Sequence, residues 1–210
     1  MKKITSLLIS IALLMSLCAC ATSTEPEPSE TPTTTPTPEV TEGMETSDDE
    51  INVLVVYFSA TGNTENVANI IAEHTGAEIF ELEAAEPYSQ EDLNYNNEES
   101  RVSIEYQNPE ERDVELVETS IEGWEDYGVV YIGYPIRWGI AAWPINDFIE
   151  DNDFTGKTVV PFTTSASSGL GESASLLADL AGTGNWLEGE RFRSSVDESE
   201  VVEWLDSLEY

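Results

Sequence analysis

The stretch from Val53 to Thr64 constrains the fold more than any other part of the sequence. An apolar run, Val53 to Phe58, is long enough for one buried strand, and it breaks into the small and hydroxylated residues Ser59 to Thr64. Apolar residues then recur with helical spacing, at Val67, Ile70 and Ile71. A strand that enters a helix through such a loop directs backbone N–H groups, hydroxyls and a helix N-terminus at one point. This pattern predicts an anion site, and phosphate is the commonest occupant of such sites.

Two common phosphate motifs are excluded for this loop. No Gly-Lys-Ser/Thr follows the strand, so it is not a Walker loop, and the three spaced glycines of the dinucleotide fingerprint are missing. A tight turn without any ligand remains the alternative for this loop taken alone.

The first fifty residues predict an exported, anchored protein. Residues 1–19 have the pattern of a signal peptide, with Lys2 and Lys3 before an apolar core too short for a comfortable membrane span. The sequence Leu17-Cys18-Ala19-Cys20 resembles a lipobox, which implies cleavage before Cys20 and a lipid on its thiol; an ordinary cleaved signal is the alternative. Residues 20–50 are rich in Thr, Pro and Glu and predict a disordered tether. We therefore expect an extracytoplasmic protein that is lipid-anchored to the cell membrane.

Charge and residue content exclude several classes of function. The 210 residues include 42 acidic and 8 basic side chains, a formal net charge of −34, which repels nucleic acid and anionic lipid headgroups. The single histidine, His74, falls at a predicted helix end, where a cation suits the helix dipole, so a Ser-His-Asp hydrolase is improbable. With so little histidine and cysteine we expect no metal site, and we assign no catalytic residue.

Residues 51–210 predict one α/β domain. Strands are predicted at Asn52–Phe58, Ala77–Leu82, Tyr127–Tyr134, Lys157–Thr163 and Trp186–Phe192. Helices are predicted at Thr64–His74, Ala141–Glu150, Gly171–Leu180 and around Val201–Leu208, with helical potential at Glu91–Arg101. This alternation predicts a parallel sheet covered on both faces, with strand order 2-1-3-4-5 and a ligand at the switch point beside strands one and three.

The loops after the third and fourth strands should meet the first loop at that point. Gly133 to Gly139 is a proline-stiffened turn that carries an indole, Trp138, which suits one wall of a site for a flat aromatic ring. Thr163 to Gly171 is small and polar, so its backbone can approach the edge of such a ring. The alternatives are a core tryptophan and a flexible linker.

On these motifs the segment from Ile51 to Leu208 resembles the flavodoxin-like family, and in particular its extracytoplasmic lipoprotein members with a Gly-Tyr-Pro-Ile-x-Trp-Gly loop. The resemblance implies a three-layer flavodoxin-like sandwich that binds flavin mononucleotide (FMN). We expect FMN to be non-covalent, because Asp153 to Thr158 only loosely approaches a covalent-flavin motif. In the family pattern the phosphate would be held by Ser59, Thr61, Gly62, Asn63 and Thr64. The ring would be framed by Pro135, Ile136, Arg137, Trp138, Gly139, Thr164, Ser165, Ala166, Ser168 and Gly169.

Three functions are compatible with this resemblance. The first is a membrane-tethered electron carrier whose donor and acceptor the sequence does not identify. The second is an FMN-dependent reductase of a quinone-like small molecule, in which Arg137 would be the obvious cation for an anionic substrate. The third is a non-catalytic interaction module that has kept the fold.

Overall fold

The structure is a computed structural model that describes residues 51–210. The predicted signal peptide (1–19), the lipidation site Cys20 and the predicted tether (20–50) lie outside the described residues. In the part that is described, no helix is long and apolar enough to cross a membrane.

A mostly parallel sheet forms the centre of the domain. Its strands are β1 (Asn52–Tyr57), β2 (Glu78–Glu81), β3 (Tyr127–Arg137), β4 (Ile140–Ala141), β5 (Thr158–Thr164), β6 (Asn185–Trp186) and β7 (Glu190–Phe192). The order is β2-β1-β3-β5, with β6 and β7 both parallel to β5 at its outer edge and β4 antiparallel to β3. The predicted order is confirmed when β6 and β7 are taken as one interrupted fifth strand.

The interruption of the fifth strand has a local cause at Gly189. This glycine has a φ of +80°, and a Cβ built on it would lie 2.2 Å from the carbonyl oxygen of Pro161. The chain therefore leaves the extended conformation between β6 and β7 and passes close to the neighbouring backbone, where only glycine fits.

Helices cover both faces of the sheet, which confirms the three-layer architecture. The helices are α1 (Asn63–Thr75), α2 (Arg101–Gln107), α3 (Asn146–Asp151), α4 (Ser173–Ala181) and α5 (Glu198–Asp206). On one face α1 and α5 bury Val67, Ile71 and Val201 against β1 and β3. On the other face α3 and α4 bury Phe148 and Leu177. The core therefore has two apolar layers, and the loops at the carboxyl ends of the strands are left at one edge.

One helix lies later in the chain than predicted. The sequence favoured helix over Glu91–Arg101, but α2 begins at Arg101, where the predicted segment ends. Two asparagines prevent helix formation before it: Asn94 Oδ1 accepts from the amide of Asn96, and Asn97 Oδ1 accepts from the amide of Glu99. Such local side-chain bonds compete with helical hydrogen bonds.

Candidate functional site

The loops after β1, β3 and β5 meet in a cleft that consists of two adjoining cavities. The polar cavity, about 250 Å³, lies beside the loop that joins β1 to α1 and also includes Ser194. The aromatic cavity, about 340 Å³, lies beside Trp138 and Val102. The two cavities share Leu93, Tyr95, Ile136, Arg137, Ser165 and Ala166 in their linings, so one elongated ligand can occupy both.

Most of the sequence-predicted site residues line this cleft. They are Ser59, Thr61, Asn63, Thr64, Pro135, Ile136, Arg137, Trp138, Thr164, Ser165, Ala166 and Ser168. Gly62, Gly139 and Gly169 are in the same loops but do not line either cavity. The switch-point geometry therefore brings together the three loops that the sequence indicated.

The N-terminus of α1 supplies amide donors beside the polar cavity. Gly62 has the left-handed φ of +81°, and its carbonyl accepts the first helical bond, from the amide of Asn66 at 3.0 Å. The amides of residues 63–65 precede that bond and have no acceptor within the helix. Among residues 51–210 no side chain caps this end. The free amides and the positive end of the helix dipole together suit an anion.

Two hydroxyls of this loop have different tasks. The Oγ of Ser59 accepts the amide of Gly62 at 3.1 Å and so fixes the turn. The Oγ1 of Thr61 accepts the side-chain amide of Asn63 at 3.0 Å, which leaves the Thr61 proton available for a ligand.

A buried hydroxyl pair joins the first loop to the end of β5. Thr64 Oγ1 and Thr164 Oγ1 are 2.8 Å apart, and both residues are buried. Because each hydroxyl is the partner of the other, this pair braces the cleft. The sequence showed two polar loops but not this contact between them.

Trp138 lies in the tight turn between β3 and β4. Its φ of +47° and the φ of +83° of Gly139 are the two positive values of a type I′ hairpin turn. A left-handed conformation costs a residue other than glycine roughly 1–2 kcal/mol. The indole is 39% exposed and stacks on Tyr106 of α2 with ring centroids 4.4 Å apart and planes 8° apart. The alternative that Trp138 is a core residue is therefore wrong.

Arg137 is not the accessible cation that the sequence suggested. Its guanidinium lies over the ring of Tyr88 (4.5 Å), near Trp143 (5.1 Å) and Phe58 (5.8 Å), and its terminal nitrogens are buried. Neither of these nitrogens has a hydrogen-bond partner among residues 51–210. The nearby phenol of Tyr88 already donates to Glu105. Burial lowers the pKa of Arg137, but a guanidinium stays charged at neutral pH. An anionic substrate in the cleft would therefore have no direct contact with the terminal nitrogens of Arg137.

The loop after β5 is held in place from the sheet edge. Arg191, on β7, donates from Nε to Ser165 Oγ and from Nη2 to the Ser165 carbonyl, each at 2.7 Å. The amide of Ser165 donates to the carbonyl of Phe192, and its hydroxyl donates to the carbonyl of Ser168. The first half of this loop is therefore fixed by hydrogen bonds, which argues against a flexible linker there.

The site residues predicted from the sequence do not include six lining residues: Ala60, Leu93, Tyr95, Val102, Ser167 and Ser194. Tyr95 is the most informative, because it lines both cavities and is 72% exposed. Its segment, between β2 and α2, is polar and irregular, and its two tyrosines, Tyr88 and Tyr95, were the only signal in the sequence. Ser194 could have been found from the fifth strand, since it follows β7 at the same edge of the sheet.

A larger cavity, about 510 Å³, lies at the opposite end of β1, beside Asn52 and Gly76. Glu78, Glu122 and Asp126 line it, so it would repel a phosphate. Both the donor set and the topology therefore favour the cleft at the carboxyl ends of the strands.

Comparison with known proteins agrees with this fold. Residues 52–208 match the family model described as Flavodoxin, and the chain belongs to that family. A crystal structure of a proposed flavoprotein from Bacteroides eggerthii is 41% identical over 74% of this chain and 96% of its own, with a TM-score of 0.66. A second, from Bacteroides uniformis, is 33% identical over 75% of this chain and 99% of its own, with a TM-score of 0.68. A Lactobacillus acidophilus flavoprotein, solved in complex with FMN, is similar in fold at 23% identity over 74% of this chain and 99% of its own (TM-score 0.53). No curated protein matches the chain.

Proposed function

We propose that this flavodoxin binds FMN non-covalently in the cleft and carries electrons outside the cytoplasm while anchored to the cell membrane. One observation carries the cofactor assignment: a cavity at a helix N-terminus with free amide donors adjoins a cavity walled by a half-exposed indole. A phosphate at one end and a flat aromatic ring at the other are the two ends of FMN.

The phosphate end of the ligand would be held by the polar cavity. The amides of residues 63–65 would donate to the phosphate, since they have no helical acceptor. The hydroxyl of Thr61 would add a fourth donor, with Asn63 orienting it. Thr64 would contribute its amide, while its side chain braces the site through Thr164. None of these donors is cationic, so the site relies on hydrogen bonds and on the helix dipole.

The ring end would be held by the aromatic cavity. Trp138 would supply one wall, and Tyr95, which lines both cavities, would cover the side that faces solvent. Ser165, Ala166 and Ser168 are small enough for the backbone of their loop to approach the edge of the ring. Flavin supplies the redox chemistry when it is bound, and these residues orient it and limit its contact with water.

The distribution of charge argues against nucleic acid as a partner. Most basic side chains of the domain are committed internally: Arg101 to Glu105, Arg112 to backbone carbonyls, Lys157 to the carbonyls of Trp124 and Tyr127, and Arg191 to Ser165. The exposed surface is therefore dominated by carboxylates and repels nucleic acid at long range.

Location and anchoring rest on the sequence of the first fifty residues. Cys20 is the proposed lipid attachment site, and the tether would hold the domain away from the membrane. In fractionated cells Cys20→Ser should move the protein from the membrane into the soluble fraction. Retention of the variant in the membrane with the signal removed would contradict the lipid anchor and would leave the cofactor proposal intact.

The cofactor and carrier roles are tested on protein purified from its own membrane. Acid precipitation should release FMN into the supernatant, and no flavin should stay with the precipitate. The reduced protein should pass electrons to a one-electron acceptor without steady turnover of reduced nicotinamide. Sustained turnover with a quinone would instead identify a reductase, and a colourless protein that does not take up added FMN would identify a non-catalytic module.

A further inference from the structure

Trp138, the proposed ring wall, stacks closely on the ring of Tyr106, which does not line either cavity. The ring of Tyr106 lies face to face with the indole, at 4.4 Å between centroids and 8° between planes. Trp143 lies further away, at 6.3 Å and 19°. The left-handed backbone of Trp138 is unfavourable for a residue other than glycine. Contacts with the surrounding structure must therefore maintain the conformation of Trp138.

The residue next to Tyr106 anchors α2 to the rest of the domain. Glu105 is buried, and its carboxylate accepts from two donors outside the helix, Tyr88 Oη (2.9 Å) and Trp143 Nε1 (2.8 Å), and from Arg101 Nε (2.7 Å) within the helix. Hydrogen bonds to a carboxylate are shorter and stronger than neutral ones. They fix the rotation of the short helix about its axis, and with it the direction of the Tyr106 side chain.

The C-terminal end of α2 is fixed as well. Arg112 donates to the carbonyls of Glu105 (3.0 Å) and Tyr106 (2.6 Å), which are acceptors that a helix end leaves open. Its guanidinium also lies 5.6 Å from the centre of the Tyr106 ring. Tyr106 is therefore held through its backbone and its ring, although its side chain is 39% exposed.

We propose that Tyr106 is a positioning residue for the cofactor site: it holds the Trp138 indole in the orientation that forms the wall of the aromatic cavity. Tyr106 does not line either cavity, so it acts through Trp138 and not by contact with the ligand. This inference rests on the proposed function, because the wall matters for binding only if a flat ring occupies the cavity. The competing explanation is that the stacked pair only stabilises the fold.

The test compares FMN and riboflavin binding by Tyr106→Leu, Tyr106→Phe and Ile104→Ala. Phenylalanine keeps the stacked ring, and Ile104 is an exposed residue of the same helix that serves as the matched control. Tyr106→Leu should weaken both ligands by the same factor, about threefold to tenfold, the size expected for one aromatic pair. Tyr106→Phe and Ile104→Ala should bind like the wild type. Wild-type affinity in Tyr106→Leu, even with a lowered thermal unfolding temperature, would overturn the proposal in favour of the stabilising role.

A double-mutant cycle shows whether Tyr106 acts through Trp138. In a Trp138→Ala background Tyr106→Leu should cause no further loss of affinity, since the residue it positions is gone. An undiminished further loss would refute the positioning role.

A failure of the FMN proposal can be distinguished from a failure of the Tyr106 proposal. If the wild type binds no flavin, the proposed function fails by itself. The near-ultraviolet circular dichroism of the ligand-free protein still tests the stack. It should change in Tyr106→Leu and persist in Tyr106→Phe, and an unchanged spectrum in Tyr106→Leu would show that Tyr106 does not hold the indole.

Discussion

The phosphate assignment is tested most sharply at Thr61, because its hydroxyl can be removed without disturbing the fold. The residue is exposed, and within residues 51–210 its side chain makes one hydrogen bond, which it accepts from Asn63. Thr61→Ala should therefore change the free energy of unfolding by no more than about 0.5 kcal/mol. Thr61→Ser keeps the hydroxyl and is the matched control.

The magnitude of the binding loss follows from the charge of the ligand. A hydrogen bond to a charged group contributes roughly 1.5–3 kcal/mol. Thr61→Ala should thus weaken FMN binding by about tenfold to 150-fold. Riboflavin has the same ring without the phosphate, and its affinity should stay within about twofold. Fluorescence titration with both ligands measures the two losses side by side.

Thr64 provides the contrasting case on the same loop. Its hydroxyl pairs with Thr164, so Thr64→Val leaves a buried hydroxyl without its partner and should cost about 1–3 kcal/mol of stability. Because the brace supports the whole cleft, both ligands should weaken together. The reasoning is refuted if Thr61→Ala lowers the affinities for FMN and riboflavin equally, or if Thr61→Ser is as weak as Thr61→Ala.

Three further predictions concern stability. Gly133→Ala would place a Cβ 2.2 Å from the Phe162 ring and should lower the free energy of unfolding in urea by about 1–3 kcal/mol, whereas Gly169→Ala, in open space, should have little effect. Arg137→Met should leave the thermal unfolding temperature unchanged or raise it, because removal of a buried charge whose terminal nitrogens have no hydrogen-bond partner among residues 51–210 offsets the lost cation–π contacts; a clear drop would contradict this. Burial raises the pKa of the Tyr134 phenol to about 12, above the value near 10 of the unfolded chain. The stability that this shift contributes is complete below pH 10 and is lost as the pH rises towards 12. Tyr134→Phe should therefore reduce the loss of unfolding free energy that is measured between pH 10 and pH 12.

The sequence predicted the sheet and its order because the central strands β1, β3 and β5 contain continuous apolar runs, and alternation with helices leaves few topologies. It also located the three loops of the cleft, since their composition changes abruptly where a strand ends. The shift of α2 could not be predicted in this way, because the side-chain bonds of Asn94 and Asn97 compete with a helical pattern that the composition favours.

The sequence did not predict the contacts between residues that are distant along the chain. The Thr64–Thr164 pair joins residues one hundred positions apart, and the stack of Tyr106 on Trp138 depends on a left-handed tryptophan that no propensity predicts. Arg137 was expected near a ligand as a charge, yet three aromatic rings surround its guanidinium. The presence of a charged residue in the sequence does not indicate whether its charged group faces a cavity or is buried beside it.

The central claim is that the cleft between the three loops binds FMN with the ring against Trp138. Titration of the ligand-free protein with FMN tests it directly. Flavin and tryptophan fluorescence should both be quenched, with saturation at one equivalent, and Trp138→Ala should remove most of the tryptophan quenching. The absence of saturable quenching, or equal quenching in Trp138→Ala, would contradict it.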